Sequence, residues 1–188
     1  FLFISCTRNN LTISTYIALL RGINIMGKRS IKMAALRSSL RETGLENVQT
    51  YIQSGNVVFN HVDSPIEKLK DMITDRIEKD FGFDLPIWIL NRHELIQAKQ
   101  SHPFPRNQPE QLYFTFLSKS PNPTDIASLK EINFEPEGIQ IQGRIAFLNF
   151  PEGRGRATLS NNLIERKLKV SATTRNWNTV SKLIEMSG

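Results

Sequence analysis

Two loop segments in the first third of the chain combine the residue types that bind anions. Residues 21–30 read Arg-Gly-Ile-Asn-Ile-Met-Gly-Lys-Arg-Ser, and residues 53–56 read Gln-Ser-Gly-Asn. Glycines leave backbone N–H groups accessible before a helix, while amides and cations donate hydrogen bonds to phosphate or carboxylate oxygens. The pattern predicts an anion-binding rim made by Arg21, Asn24, Lys28, Gln53, Ser54 and Asn56.

The first of these loops comes close to a nucleotide-binding phosphate loop. Gly22 to Lys28 satisfies the pattern G-x-x-x-x-G-K, but Arg29 stands where that motif requires a magnesium-binding Ser or Thr. We therefore expect a looser phosphate cradle or an ordinary strand-to-helix connection, and not a nucleotide-hydrolysing loop.

Two segments near the C-terminus have a similar character. Residues 151–156, Pro-Glu-Gly-Arg-Gly-Arg, are glycine-rich and basic and precede a predicted helix. Residues 172–178 are predicted to precede or open the last helix, with Thr173 or Thr174 as its N-cap. A cation in the first helical turn opposes the helix dipole, and an acidic ligand or a neighbouring carboxylate would relieve that conflict. These segments add Arg154, Arg156, Arg175 and Asn176 to the candidate anion site.

The distribution of charge supports the same interpretation. The formal net charge is +6, and residues 15–41 contain six basic residues and no acidic one. A second basic block covers residues 154–175, and the stretch between the two blocks is net acidic. Two basic blocks favour an anionic ligand near them, although solvated helix faces would give the same pattern.

Other kinds of site lack the residues they need. His61, His93 and His102 have no metal-ligand spacing and no cysteine partner, so we predict no metal site. No G-x-S-x-G motif is present, and Ser54 has no evident His–Asp pair. The sequence assigns no catalytic residue and no cofactor, and it leaves open whether the protein is an enzyme.

The elements that must position the first rim follow from hydrophobic periodicity and turn residues. The predicted order is strand 15–20, helix 30–44 with Ser30 as N-cap, strand 48–53, strand 57–59, helix 66–81 and strand 85–90. Residues 64–67, Ser-Pro-Ile-Glu, predict a capping box for the second helix. This β-α-β-β-α-β pattern predicts an antiparallel sheet of order 4-1-3-2, which brings the first loop and the hairpin turn to one edge.

The second half of the chain repeats the pattern in part. A helix near residues 93–100 leads into a proline-rich link, which is followed by strand 112–117, a helix from 123, the hairpin 138–150 and two closing helices. This half therefore reads β-α-β-β-α-α. We predict an α+β protein with two ferredoxin-like βαββα(β) units in tandem, mostly antiparallel sheets and an extra C-terminal helix. The predicted division is an N-terminal extension at 1–14, a first unit with its linking helix at 15–102 and a second unit at 103–188.

Several predicted strands are apolar on both faces. In the first strand, Ile17 and Leu19 alternate with Tyr16, Ala18 and Leu20, which are equally apolar. A single ferredoxin-like sheet has helices on one face only, so its strands should alternate between apolar and polar residues. The second face must be covered by the other unit, by extra helices or by a partner chain.

Several of these segments resemble the bacterial family called domain of unknown function 1697. The resemblance covers about residues 15–186 and is carried by the segments 16–24, 32–33, 50–59, 103–104, 151–153 and 172–180. It implies a small cytoplasmic bacterial protein with ferredoxin-like subunits, and it implies no established activity. The single cysteine, Cys6, fits a reducing compartment, and no apolar run is long enough for a membrane helix.

The sequence leaves three functional hypotheses. The first is binding of, or chemistry on, a small phosphorylated or otherwise anionic ligand at the basic rim. The second is RNA or other nucleic-acid binding, with bases stacked on aromatic residues of the strands; these are Tyr51, Phe59, Tyr113, Phe114 and Phe116. The third is a ligand-free interaction module, monomeric or homodimeric, that uses the second sheet face.

Overall fold

The computed structural model describes residues 12–25, 27, 29–106 and 108–188. The first half contains β1 (Ile13–Leu20), α1 (Met33–Arg41), β2 (Glu46–Tyr51), β3 (Asn56–Val62), α2 (Ile66–Phe81), β4 (Ile87–Asn91) and α3 (Arg92–Gln100). The second half contains β5 (Leu112–Leu117), α4 (Pro123–Lys130), β6 (Gly138–Gln142), β7 (Ile145–Asn149), α5 (Asn161–Leu168), β8 (Ala172–Asn176) and α6 (Trp177–Met186). Most of the predicted N-terminal extension, residues 1–11, lies outside the described residues.

The two halves form two sheets with the same topology. The first sheet has the order β2-β3-β1-β4 and the second has the order β6-β7-β5-β8, and the strand pairs of both sheets are antiparallel. The predicted order 4-1-3-2 is confirmed, because it is the first order read from the other edge. The tandem ferredoxin-like α+β architecture with an extra C-terminal helix is likewise confirmed.

The predicted end of the second half is wrong in one respect. Residues 172–176 form strand β8, which pairs with β5, so this half reads β-α-β-β-α-β-α and keeps the fourth strand. The residues of β8 are mostly polar, but their side chains alternate between the two faces of the sheet. Ala172 enters the outer core, while Thr173 and Arg175 face the other sheet. The N-cap of α6 is Asn176, whose side chain accepts a hydrogen bond from the Thr179 N–H, and not a threonine.

Two predicted helix caps also differ from the structure. Helix α1 begins after Lys32, and α2 begins after Pro65, and neither N-cap residue makes a side-chain capping hydrogen bond. Ser64 instead donates its backbone N–H to the hydroxyl oxygen of Tyr16. A true capping box occurs at α3, where Asn91 and Glu94 bond each other's backbone N–H groups.

Three apolar cores explain why the strands are apolar on both faces. Helices α1 and α2 cover the outer face of the first sheet, and helices α4 and α5 cover the outer face of the second. The inner faces share one core, in which Ile17 and Leu19 of β1 join Phe114 and Phe116 of β5 and residues of α3 and α6. The second face of each sheet is therefore covered by the other half of the same chain.

None of the helices in the described part of the chain is both long enough and apolar enough to cross a membrane.

Candidate functional site

Arg175 of β8 joins the two sheets at the predicted rim. Its Nε donates to Oδ1 of Asn56 at 2.5 Å, and its Nη2 donates to the carbonyl oxygens of Leu20 at 2.9 Å and Ser54 at 3.0 Å. These acceptors lie at the end of β1, in the β2–β3 turn and at the first residue of β3. The first-half rim and one of the C-terminal arginines therefore meet in space.

Every hydrogen-bond donor group of this guanidinium is engaged, and every acceptor is neutral. Nη1 donates to Oγ1 of Thr173 at 2.9 Å and to the carbonyl oxygen of Thr174 at 3.0 Å. The residue is 8% exposed, and no described carboxylate forms an ion pair with it. Burial, with a smaller contribution from the charge of Arg154, lowers the pKa of Arg175 to about 10, so the group is still cationic at neutral pH.

The β2–β3 turn can receive this arginine because Gly55 lets it approach β1 closely. Gly55 has a φ of +78°, and a Cβ atom there would lie 2.7 Å from the Cβ of Leu20. The close approach lets the carbonyl oxygens of Leu20 and Ser54 face the same guanidinium. On the other side, β8 pairs Arg175 with Phe114 of β5, which points into the shared core.

Arg21, the first rim arginine, is neutralised by the second half of the chain. Its guanidinium forms a bidentate ion pair with the carboxylate of Glu165 on α5. Glu165 also accepts the backbone N–H of Ala172 at 2.7 Å, which ties α5 to the start of β8. Since its charge is balanced, Arg21 supplies shape to the site more than net charge.

Three predicted site residues with amide side chains have structural partners. Asn24 donates to the carbonyl oxygens of Ile31 and Gln53 and accepts the Ile31 N–H, which fixes the β1–α1 loop against the hairpin turn. Asn56 is fully buried, and its amide donates within its own turn. The third, Asn176, caps α6.

A cleft of about 630 Å³ opens beside these contacts, between the β1–α1 loop and the start of α5. Four arginines line it, together with hydroxyl and amide side chains. The polar lining residues are Arg21, Arg29, Ser54, Arg154, Asn161, Asn162, Thr173, Thr174 and Arg175. We call it the arginine cleft.

The arginine cleft has a cationic excess. Arg21 is paired with Glu165, whereas no described acidic group is within ion-pair distance of Arg29, Arg154 or Arg175. Arg29 lies over the ring of Phe83 at 5.8 Å, and Arg154 lies over the ring of Tyr113 at 5.2 Å. Both guanidinium groups are held on an aromatic face, which leaves their N–H edges available.

The predicted site is therefore brought together only in part. Arg21, Ser54, Arg154 and Arg175 line the cleft, whereas Asn24, Gln53, Asn56 and Asn176 do not. Lys28 and the side chain of Arg156 lie outside the described residues.

Several residues of the cleft are not among the predicted site residues. Arg29 was considered only as a departure from the phosphate-loop motif, and Asn161 and Asn162 were not considered. One signal was available for the asparagines, because they open the helix that follows the glycine-arginine segment 153–156. No local signal places Arg29 near α5, since the two lie more than a hundred residues apart.

The first loop does not have the arrangement of a phosphate loop. Helix α1 begins at Met33, so several residues separate Gly27 from the first helical turn. In a true phosphate loop the glycine-rich turn runs directly into the helix N-terminus that faces the phosphates.

The structure also bears on a metal site and on a surface that stacks nucleic-acid bases. No group of three metal-ligating side chains occurs among the described residues, and His102 is buried against the rings of Phe114 and Phe147. The strand aromatics Phe59, Phe114 and Phe116 are also buried, so they cannot stack on nucleic-acid bases.

Comparisons with known proteins give a family and a fold. A family model described as "Protein of unknown function (DUF1697)" matches residues 13–147. The solved structure of the conserved bacterial protein SP0830 from Streptococcus pneumoniae is similar, with a TM-score of 0.73 and 24% sequence identity over 94% of this chain and 100% of that chain. No curated protein matches the chain.

Proposed function

The chain belongs to the DUF1697 family, whose description assigns no function, and we propose that it binds a small phosphorylated or carboxylated molecule in the arginine cleft. One observation carries the proposal. Arg175 is a buried cation whose acceptors are neutral oxygens, so its charge is not cancelled by any described carboxylate.

A buried positive charge is costly unless it is compensated, and its field acts strongly where solvent screening is weak. The open side of that field is the arginine cleft, which Arg175 lines. An anion in the cleft would supply the missing compensation. Because all donor groups of Arg175 are engaged, this residue contributes charge to the site and not a direct hydrogen bond.

Direct contacts would come from the exposed groups of the cleft. Arg29 and Arg154 carry guanidinium groups that can form two parallel hydrogen bonds with a phosphate or carboxylate. Asn162 and Ser54 are exposed and add an amide and a hydroxyl donor. The volume of about 630 Å³ suits a metabolite and exceeds what an inorganic ion would fill.

We further propose that the protein acts in a reducing compartment such as the cytoplasm. This rests on composition, because the chain contains a single cysteine.

The test is a binding titration at low ionic strength with pyrophosphate, AMP and citrate as probes. We expect at least one probe to raise the melting temperature saturably, by roughly 5–10 °C at a hundredfold excess over its Kd. Arg29→Met and Arg154→Met should each weaken that probe about tenfold or more, since a charge-assisted hydrogen bond contributes roughly 1.5–3 kcal/mol.

Arg166→Met is the matched control, because Arg166 is an exposed arginine on α5 that does not line the cleft. It should leave the affinity unchanged. Equal losses in Arg154→Met and Arg166→Met would reduce the effect to general charge attraction, and the absence of any saturable shift would refute the proposal.

A further inference from the structure

Strand β4 differs from the other three strands at the sheet edges. The edges are β2 and β4 in the first sheet and β6 and β8 in the second. The strands β2, β6 and β8 carry polar residues along their length, whereas β4 reads Ile-Trp-Ile-Leu before Asn91. Proteins usually protect an apolar edge strand with charges, proline or a cover, because it is a template for another strand.

The hydrogen-bond pattern shows which backbone groups of β4 face outward. The Arg21 N–H donates to the Pro86 carbonyl at 3.1 Å, so residues 21 and 86 form a hydrogen-bonded pair in the register that joins Leu20 to Ile87. Bonded and non-bonded pairs alternate in an antiparallel ladder. Trp88 and Leu90 therefore bond to β1, and the N–H and C=O groups of Ile87 and Ile89 point away from the sheet.

These outward groups have no protein partner in the part of the chain that the structure describes. Ile87 and Ile89 are nevertheless only 5% and 6% exposed. Backbone N–H and C=O groups in such surroundings are nearly always paired, so this short row of donors and acceptors calls for a partner.

The free edge of β4 lies in a groove of about 330 Å³. Helix α2 forms one wall, and Ser118 and Ser171 of the second half contribute to the opposite wall. We call it the edge groove. A second folded copy carries its own α2 wall beside its β4, so two such recessed edges would not reach each other, whereas a single extended chain would fit.

A second cleft, of about 470 Å³, lies on the inner face of the same strand. It shares Trp88 and Arg144 with the edge groove, and its floor includes the buried rings of Phe116 and Phe147. The indole N–H of Trp88 is buried and has no hydrogen-bond partner among the described residues. The cleft combines apolar residues, which can receive a large side chain, with polar ones such as Glu94 and Gln142.

We propose that β4 binds an extended peptide segment of another protein as an added strand of the first sheet. Peptide residues opposite Ile87 and Ile89 would exchange backbone hydrogen bonds with them. The residue between these two lies opposite Trp88, so its side chain points to the inner face and enters the cleft of Phe116 and Phe147. Main-chain bonds give affinity in this mode of recognition, and alternate side chains give specificity.

Charge specifies the residues on either side of the central one. Their side chains point towards α2, where Asp71 and Asp84 line the edge groove without an ion-pair partner among the described residues. Lys70 in the same wall is paired with Glu67, and the other cation, Arg144 of the second half, lies at the junction with the inner cleft, since it lines both. The peptide therefore carries a large apolar residue between two basic ones. It is a cationic ligand, whereas the ligand proposed for the arginine cleft is anionic.

The test uses acetylated and amidated peptides Thr-Lys-X-Lys-Thr, with X as Phe, Leu, Trp or Gly, and the full-length protein. We expect the peptide with at least one apolar X to bind at least tenfold more tightly than the Gly peptide in isothermal titration calorimetry. In hydrogen exchange, the amides of Ile87 and Ile89 should become protected on binding, whereas those of Trp88 and Leu90 are already protected in the free protein.

Backbone methylation gives a matched control within the peptide. N-methylation of either lysine removes an amide that faces β4 and should abolish binding, whereas N-methylation of X removes an amide that faces solvent and should be tolerated. In the protein, Asp71→Lys should weaken binding, and Asp75→Lys should not, because Asp75 is an exposed acidic residue of α2 that does not line the edge groove.

The proposal is overturned if none of the peptides changes the exchange of Ile87 and Ile89. It is also overturned if both kinds of methylated peptide bind equally, or if those amides are protected in the free protein through formation of a dimer.

Discussion

The arginines of the cleft have three different environments. Arg21 is neutralised by Glu165, Arg175 is buried among neutral oxygens, and Arg154 has a free edge above Tyr113. Their residue type is the same, but their surroundings divide them into a cross-link, a buried charge and a contact group. Within the proposed site, only the exposed arginines are suited to release and rebind a ligand.

Loss of Arg175 should destabilise the protein severely. Arg175→Met removes a donor from the buried oxygens of Asn56 and Leu20, and each unsatisfied buried acceptor costs about 1–3 kcal/mol. We expect the free energy of unfolding in urea to fall by about 3 kcal/mol or more. Arg166→Met should change it by no more than about 0.5 kcal/mol, and equal effects would contradict the role of Arg175 in joining the two sheets.

At the scale of elements, the β2–β3 turn is the part that sets the geometry of the cleft. It receives Arg175, holds Asn24 through the carbonyl of Gln53 and approaches β1 at Gly55. Helix α5 has the matching role in the second half, since it supplies Glu165 to Arg21 and Asn161 to the cleft. The cleft therefore depends on how a turn and a helix from different halves are docked.

Gly55→Ala should disturb this docking. The added methyl group would lie 2.7 Å from the Cβ of Leu20, and the alanine would have to adopt a φ of +78°. Overpacking and left-handed strain together should cost about 2–4 kcal/mol in urea unfolding. Gly143→Ala is the matched control, with a φ of +56° and no atom within 4 Å of the added carbon; a loss of only about 1 kcal/mol is expected there, and a larger loss than at Gly55 would refute the argument.

The whole molecule consists of two similar sheets that share their inner core. Neither sheet could bury the apolar inner face of its strands without the other half, as Ile17 of β1 and Phe114 of β5 show by entering the same cluster. The arginine cleft and the edge groove both lie where the halves meet, and Pro86 lines both. Ligand binding at either place should therefore stabilise the docking of the two halves.

The two halves should unfold as one cooperative unit. Native-state hydrogen exchange can compare the outer cores, through the amides of Ile73 and Ile77 in α2 and those of Ile164 and Leu168 in α5. Their opening free energies should agree within about 1 kcal/mol, because opening either half exposes the shared core. A difference of several kcal/mol would mean that one half opens independently.

Local sequence patterns were sufficient to predict most of the fold. The order of the first six elements, the hairpin turns and the sheet order follow from periodicity and turn residues, which act over a few positions. Strand β8 was missed because its letters, Ala-Thr-Thr-Arg-Asn, resemble a helix start. Its strand character comes from pairing with β5, more than fifty residues away.

For the site, the sequence by itself determined which loops are basic and that the first loop and the hairpin turn share one edge. Only the tertiary structure decided what each residue does there. Arg175 finds Asn56 across 119 positions, and Arg21 finds Glu165 across 144. These pairs form only when the two sheets dock through their apolar faces. The spacing of residues along the sequence therefore does not show which side chains will meet.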